Sequence, residues 1–90
     1  MEDLRREIDS IDDGIAELFG RRMSLVKSVA EYKAERGLPV LNPDREREIL
    51  DRVLAATDEE LRDYAETLFK TLMDVSRAYQ KILIKSIDKK

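Results

Sequence analysis

Apolar residues recur at Leu4, Ile8, Ile11, Ile15, Leu18, Leu25, Val29 and Tyr32, in the four-and-three spacing of a helix that packs lengthwise along another helix. At 1.5 Å per residue, Leu4 to Lys33 spans about 44 Å. A compact domain of 90 residues has a radius of gyration of about 12 Å and a diameter near ~30 Å. The helix therefore overhangs its own domain and leaves much of its seam uncovered. Pairing with a second copy covers it, so a homodimer is expected. One position breaks the pattern. Arg22 stands between Leu18 and Leu25, where the spacing asks for an apolar side chain, and Lys33 follows Val26 and Val29 on the same face.

The rest of the composition fits a helical protein. Charged residues make up 41% of the chain and aromatics 6%, Gly and Pro are scarce, and no β-branched run alternates with polar residues. The length suits one domain, 1–90. With no cysteine there is no disulfide frame or thiolate chemistry, and with no histidine the commonest general base and transition-metal ligand are missing, so no metal or cofactor is expected. A net charge of −3 disfavours nucleic acid as a partner. No run suits a membrane span, and the acidic start MEDLRREID does not read as a signal peptide. The expected setting is the cytoplasm.

Three helices follow, one long, one short, one long. The first starts near Glu2, carries Gly14 and Gly20 inside it, and should stop near Arg36, because Gly37 and Pro39 follow. Gly37–Asn42 is a loop. Asn42-Pro43-Asp44 reads as a helix start, with Asn as N-cap and Pro at the first helical position. The second helix should run to about Ala56 with a stripe of Ile49, Leu50, Val53 and Leu54. Thr57-Asp58-Glu59-Glu60 fits a capping box, with Thr57 as N-cap of a third helix to about Ile87. That helix shows a seam, Leu61, Ala65, Leu68, Leu72, Val75, Tyr79 and Ile82, and a flanking stripe, Phe69, Met73, Ser76, Gln80, Leu83 and Ile87. The tail Asp88-Lys89-Lys90 is expected to fray.

This layout leaves Arg22, Lys33, Arg45, Glu46, Ser76 and Gln80 in or near apolar surfaces. Each has an ordinary explanation: a seam arginine can set register, a helix-end lysine can snorkel, a buried Ser or Gln can bond to backbone, and Arg45 and Glu46 can sit in water. Only the conjunction is unusual. A buried charge is costly unless paired, and three cations face one carboxylate, so a small anionic ligand would complete the site. Arg22 and Lys33 lie 11 residues apart, about 20° off one face and roughly 16 Å along the axis. Arg5 is 17 residues from Arg22, some ~25 Å away and well around the helix, and could join only from a partner subunit.

These residues, in this order, resemble the all-helical chorismate mutase family, the AroQ class. The likeness rests on Leu4-Arg5-x-x-Ile8-x-x-Ile11-Asp12, Arg21-Arg22, Lys33, Pro39-Val40-x-Asn42-Pro43-x-Arg45-Glu46 and Ser76-x-x-x-Gln80. It implies an all-α, intertwined homodimeric helical bundle with two sites, each taking an arginine matching Arg5 from the partner. It also implies rearrangement of chorismate to prephenate on the route to phenylalanine and tyrosine. The roles it implies are these: Arg5 of the partner, Arg22, Arg45 and Ser76 hold two carboxylates; Lys33 and Gln80 donate to the ether oxygen; Glu46 accepts from the ring hydroxyl, helped by a backbone N–H near Asn42. Many members carry Asp where this chain has Asn42. The rival readings are an isochorismate pyruvate-lyase of the same fold, against which the intact Glu46 and full donor set weigh, and a non-catalytic helical dimerisation or regulatory module.

Overall fold

The computed structural model describes residues 1–88, and these form three α-helices and one short 3₁₀ turn, with no strand among them. Helix α1 spans Glu2–Arg36, α2 Pro43–Ala55 and α3 Arg62–Asp88, and the turn Glu59–Leu61 leads into α3. The expectation of fraying for Lys89 and Lys90 falls outside the described residues. No helix among them is long and apolar enough to cross a membrane.

The helix ends follow from local chemistry. Gly37 takes φ 64°, the left-handed conformation that costs a residue without Cβ nothing. Its N–H donates to Ala34 O and that of Leu38 to Lys33 O at 2.9 Å, the paired bonds of a Schellman ending. At the next start, Asn42 Oδ1 accepts from the Arg45 N–H at 3.2 Å and Pro43 takes the first helical position. The expected capping box at Thr57 does not form. Thr57 Oγ1 donates back to Val53 O at 2.7 Å, and Asp58 precedes the 3₁₀ turn without a side-chain cap bond. At the end of α2 the Val53 carbonyl accepts both the Ala56 N–H and this hydroxyl, so Thr57 closes the preceding helix instead of opening the next. Arg62 Nε supports the same corner, donating to Leu54 O and Thr57 O at 3.1 Å each.

Helix α3 packs against both α1 and α2, which do not pack on each other. Its buried side is the flanking stripe. Met73, Ser76 and Gln80 are buried, while Leu61, Leu68, Val75 and Ile82 of the other seam are exposed. Helix α1 likewise turns a second face inward: Arg22, Val26, Ala30 and Lys33, at helical spacing, are partly or fully buried. The seam residues Leu4 to Tyr32 lie on the outside, 44–70% exposed. A Cβ built at Gly14 or Gly20 meets nothing within 4 Å, so neither glycine serves a close approach inside the chain.

The single chain has a thin core. Its buried apolar residues among those described are Ala30 and Met73, and no large side chain among them is fully buried. Burying one large apolar side chain gains about 1.5–3 kcal/mol, whereas ordering each backbone residue costs about 1–2 kcal/mol. The shape agrees: the radius of gyration is 16.1 Å and the longest extent 52 Å, well beyond a compact chain of this length.

Candidate active site

The C-terminal half of α1, the start of α2 and the middle of α3 enclose a cavity of about 120 Å³. Arg22, Lys33, Asn42, Arg45, Glu46, Ser76 and Gln80 all line it, over an apolar floor that includes Val26, Val40, Ile49 and Met73. Arg5 does not. It lies in the first turns of α1, mostly exposed and 3.7 Å from Glu2. Arg77 lines the cavity too, and the sequence reading missed it. The available signal was its spacing: residue 77 is four after Met73 and three before Gln80, on the buried face of α3.

Each polar group is held by its element. Arg22 reaches across from α1 and donates through Nη1 to Ser76 Oγ. Ser76 passes its own proton to Leu72 O at 2.8 Å, so its oxygen is free to accept. Ser76, 5% exposed, thereby fixes the guanidinium of Arg22 at the cavity wall. Lys33 Nζ donates to Val40 O at 2.7 Å, which ties the ammonium to the loop before α2 and leaves two protons for another partner. Burial pushes the Lys33 ammonium below its ordinary value of 10.5, and the negative charge of Glu46 offsets part of that fall. Asn42 uses its side chain as the α2 cap, so an Asp-to-Asn difference at this position preserves the capping oxygen.

The charges do not balance. Arg22, Lys33, Arg45 and Arg77 face the cavity against the one carboxylate of Glu46. Arg45 is paired with Glu48, and Arg77 with Glu46 and Asp74. Among the described residues no carboxylate lies within ion-pair distance of Arg22 or Lys33. Gln80 adds a neutral demand: it is 6% exposed and its Oε1 has no hydrogen-bond partner. Buried polar groups normally have partners. Two unpaired cations around an apolar floor suit a small, dianionic, largely apolar molecule.

The family model for chorismate mutase type II matches residues 4–81. The chain belongs to this family. Among curated chorismate mutase relatives, that of Methanocaldococcus jannaschii is 37% identical over 81 residues, 88% of this chain and 82% of that protein. A bifunctional chorismate mutase/prephenate dehydratase of Aquifex aeolicus is 41% identical over 59 residues, 66% of this chain, which corresponds to only 16% of that longer protein. A 4-amino-4-deoxychorismate mutase of Streptomyces venezuelae is 35% identical over 49 residues, 54% of this chain and 48% of that protein. No solved structure gives a significant match.

Proposed function

We propose that this chain is a chorismate mutase, converting chorismate to prephenate by a Claisen rearrangement in a homodimer. The observation that carries the reading is the cavity with two unpaired cations, Arg22 and Lys33, lined also by the buried Gln80. Chorismate is a dianion with one ether oxygen, and its rearrangement is unimolecular: the C–O bond breaks as a C–C bond forms, with no nucleophile or proton transfer. The site needs only to hold a chair-like conformer and to stabilise negative charge growing on the ether oxygen. Arg22, oriented by Ser76, and Arg45, released from Glu48, bind the carboxylates. Lys33 and Gln80 donate to the ether oxygen. Glu46 accepts from the ring hydroxyl, with the backbone N–H near Asn42 beside it.

The magnitudes are adequate. A million-fold acceleration needs about 8 kcal/mol. One preorganised oxyanion donor supplies about 2.7–4 kcal/mol, so two donors and conformer restriction suffice. The decisive assay incubates the pure protein with chorismate, follows the loss of its ultraviolet absorbance and identifies the product. Prephenate above the uncatalysed rate is expected; no turnover sinks the enzyme reading.

The dimer completes the site. The uncovered seam of α1 and the thin single-chain core support a second copy lying along α1, and Arg5 is then carried to the partner's cavity. Arg5→Ala and Arg22→Ala proteins should each be nearly inactive. Mixed and re-equilibrated, they should recover activity, because half of the sites in each heterodimer keep both arginines. Verified heterodimers without activity would place Arg5 outside the site.

The depressed Lys33 ammonium sets a pH dependence. Lys33 donates with full strength only when protonated, so kcat/KM should fall on the alkaline side with a midpoint below 10.5. Bound dianion favours the charged form, so the midpoint in kcat should lie above that in kcat/KM. Stability runs the other way. The folded-state value is lowered, so the unfolded chain binds more protons between the two values, and the cost of burying this charge fades as pH rises through the folded value. A rate profile flat to pH 10.5 and above would remove Lys33 from the reacting atoms.

A further inference from the structure

We propose that Arg77 is a positioning residue that sets substrate choice at the ring substituent, favouring a neutral hydroxyl over a cationic amine. The inference rests on the mutase reading, in which Glu46 meets that substituent. Arg77 bridges the two helices that flank the site. Its Nη1 donates to Glu46 Oε2 on α2, and its Nη2 to Asp74 Oδ1 one turn earlier on α3. Asp74 is mostly exposed, while the Arg77 and Glu46 side chains are about three-quarters covered, at 23% and 26% exposure. Asp74 thus braces the guanidinium from the solvent side, and Arg77 holds the carboxylate from the cavity side.

Two consequences follow. With Oε2 engaged by Arg77, Oε1 is the oxygen of Glu46 left to accept from a ligand, and the carboxylate is steadied by a planar guanidinium whose other arm is held by Asp74. The charge of Glu46 is also spent. Lys33 lines the same cavity without a carboxylate partner, so once Arg77 answers Glu46 the uncompensated charge beside the ring substituent is positive. A hydroxyl donating to Oε1 is indifferent to that balance. An alkylammonium group in the same place would meet a carboxylate already paired with Arg77 and the ammonium of Lys33, which has no carboxylate partner. Discrimination of this kind works through repulsion of the wrong ligand as much as through attraction of the right one. A purely structural α2–α3 staple would make Arg77 matter equally for either substrate.

The test compares chorismate with 4-amino-4-deoxychorismate on wild type, Arg77→Met and Arg77→Lys, with helix content and thermal midpoint measured for each. Wild type should prefer chorismate. Arg77→Met should lose about tenfold in kcat/KM on chorismate, chiefly in kcat as Glu46 loses its direction, and the ratio of the two substrates should move about tenfold or more toward the amine. Arg77→Lys keeps the cation without the fork, and should keep the substrate ratio within about threefold of wild type while losing part of kcat. An active wild type whose Arg77→Met variant keeps its substrate ratio would overturn the proposal and leave the mutase reading standing. So would an Arg77→Lys variant whose ratio shifts as far as that of Arg77→Met. If Arg77→Met fails to fold, Arg77→Lys still decides: an unchanged kcat on chorismate would show that the fork does not position Glu46. Wild type inactive on both substrates would overturn the mutase reading and this proposal with it.

Discussion

Gln80→Leu should lower kcat/KM by about 10²–10³-fold while leaving the fold intact or slightly more stable. The side chain lies in the buried stripe of α3 at 6% exposure, yet its Oε1 is unpartnered. An enclosed polar atom without a hydrogen bond costs about 1–3 kcal/mol. Leucine has similar bulk, removes that cost and adds apolar surface to the buried stripe. In a chain of this size, each kcal/mol moves the thermal midpoint by about 4–8 °C. The opposed movements of stability and rate separate a functional residue from a packing one, because a structural glutamine would lose stability on substitution. Steady-state kinetics on chorismate with a thermal melt at one pH checks both. A variant that melts well below wild type, or that keeps activity within tenfold, would remove Gln80 from the reaction.

Much of the fold was legible because local signals agreed with one another. Gly37 with Pro39, and Asn42 with Pro43, marked helix ends by mechanisms that need no tertiary information. The failure at Thr57 has the same physical basis turned around. A threonine hydroxyl serves equally as an N-cap acceptor or as a donor to the preceding helix, and only the path of the chain decides. Apolar periodicity found two usable stripes on α3 and a single seam on α1, and could not say which face met the chain's own core. The longer and more regular seams lie outside. The inward stripes are shorter and interrupted by Arg22, Lys33, Ser76 and Gln80.

Those interruptions also explain which part of the candidate site the sequence disclosed. Arg22, Ser76 and Gln80 stood out because polar residues broke apolar stripes, and they meet at one cavity. Arg77 gave no such contrast. It sits at the edge of the buried stripe of α3, in a chain rich in charge, and its importance comes from Glu46 on another helix. The charge argument survives in altered form. A sequence tally set three cations against Glu46; in the structure Glu46 answers to Arg77, Arg45 is held by Glu48, and the two cations left without carboxylates are Arg22 and Lys33. Two uncompensated positive charges balance a dianion, with Arg22 at a carboxylate and Lys33 at the ether oxygen in the proposed reaction, and the apolar floor suits the rest of such a molecule.

Ile15→Asp is expected to abolish activity without touching any group in the cavity. Ile15 lies at the middle of the exposed seam, at 59% exposure, and lines no part of the site. If the seam were simply surface, an aspartate there would change stability by less than about 0.5 kcal/mol, as surface substitutions do. In a dimer closed by symmetry the substitution is made in both copies, and each aspartate must be taken from water into the shared core without a partner. Several kcal/mol per buried charge is then lost. That is comparable to the whole stability of a small domain, about 5–15 kcal/mol. The single chain has little to fall back on, since Ala30 and Met73 are its buried apolar residues among those described. Sedimentation equilibrium should therefore find wild type at twice the chain mass of 10.5 kDa, and the variant as a monomer with reduced helix content and no measurable turnover. Raising protein concentration should restore mass, helicity and activity together, because folding, assembly and the donation of Arg5 are one equilibrium in this reading. A variant that remains monomeric yet active would separate the site from the dimer and return Arg5 to the surface.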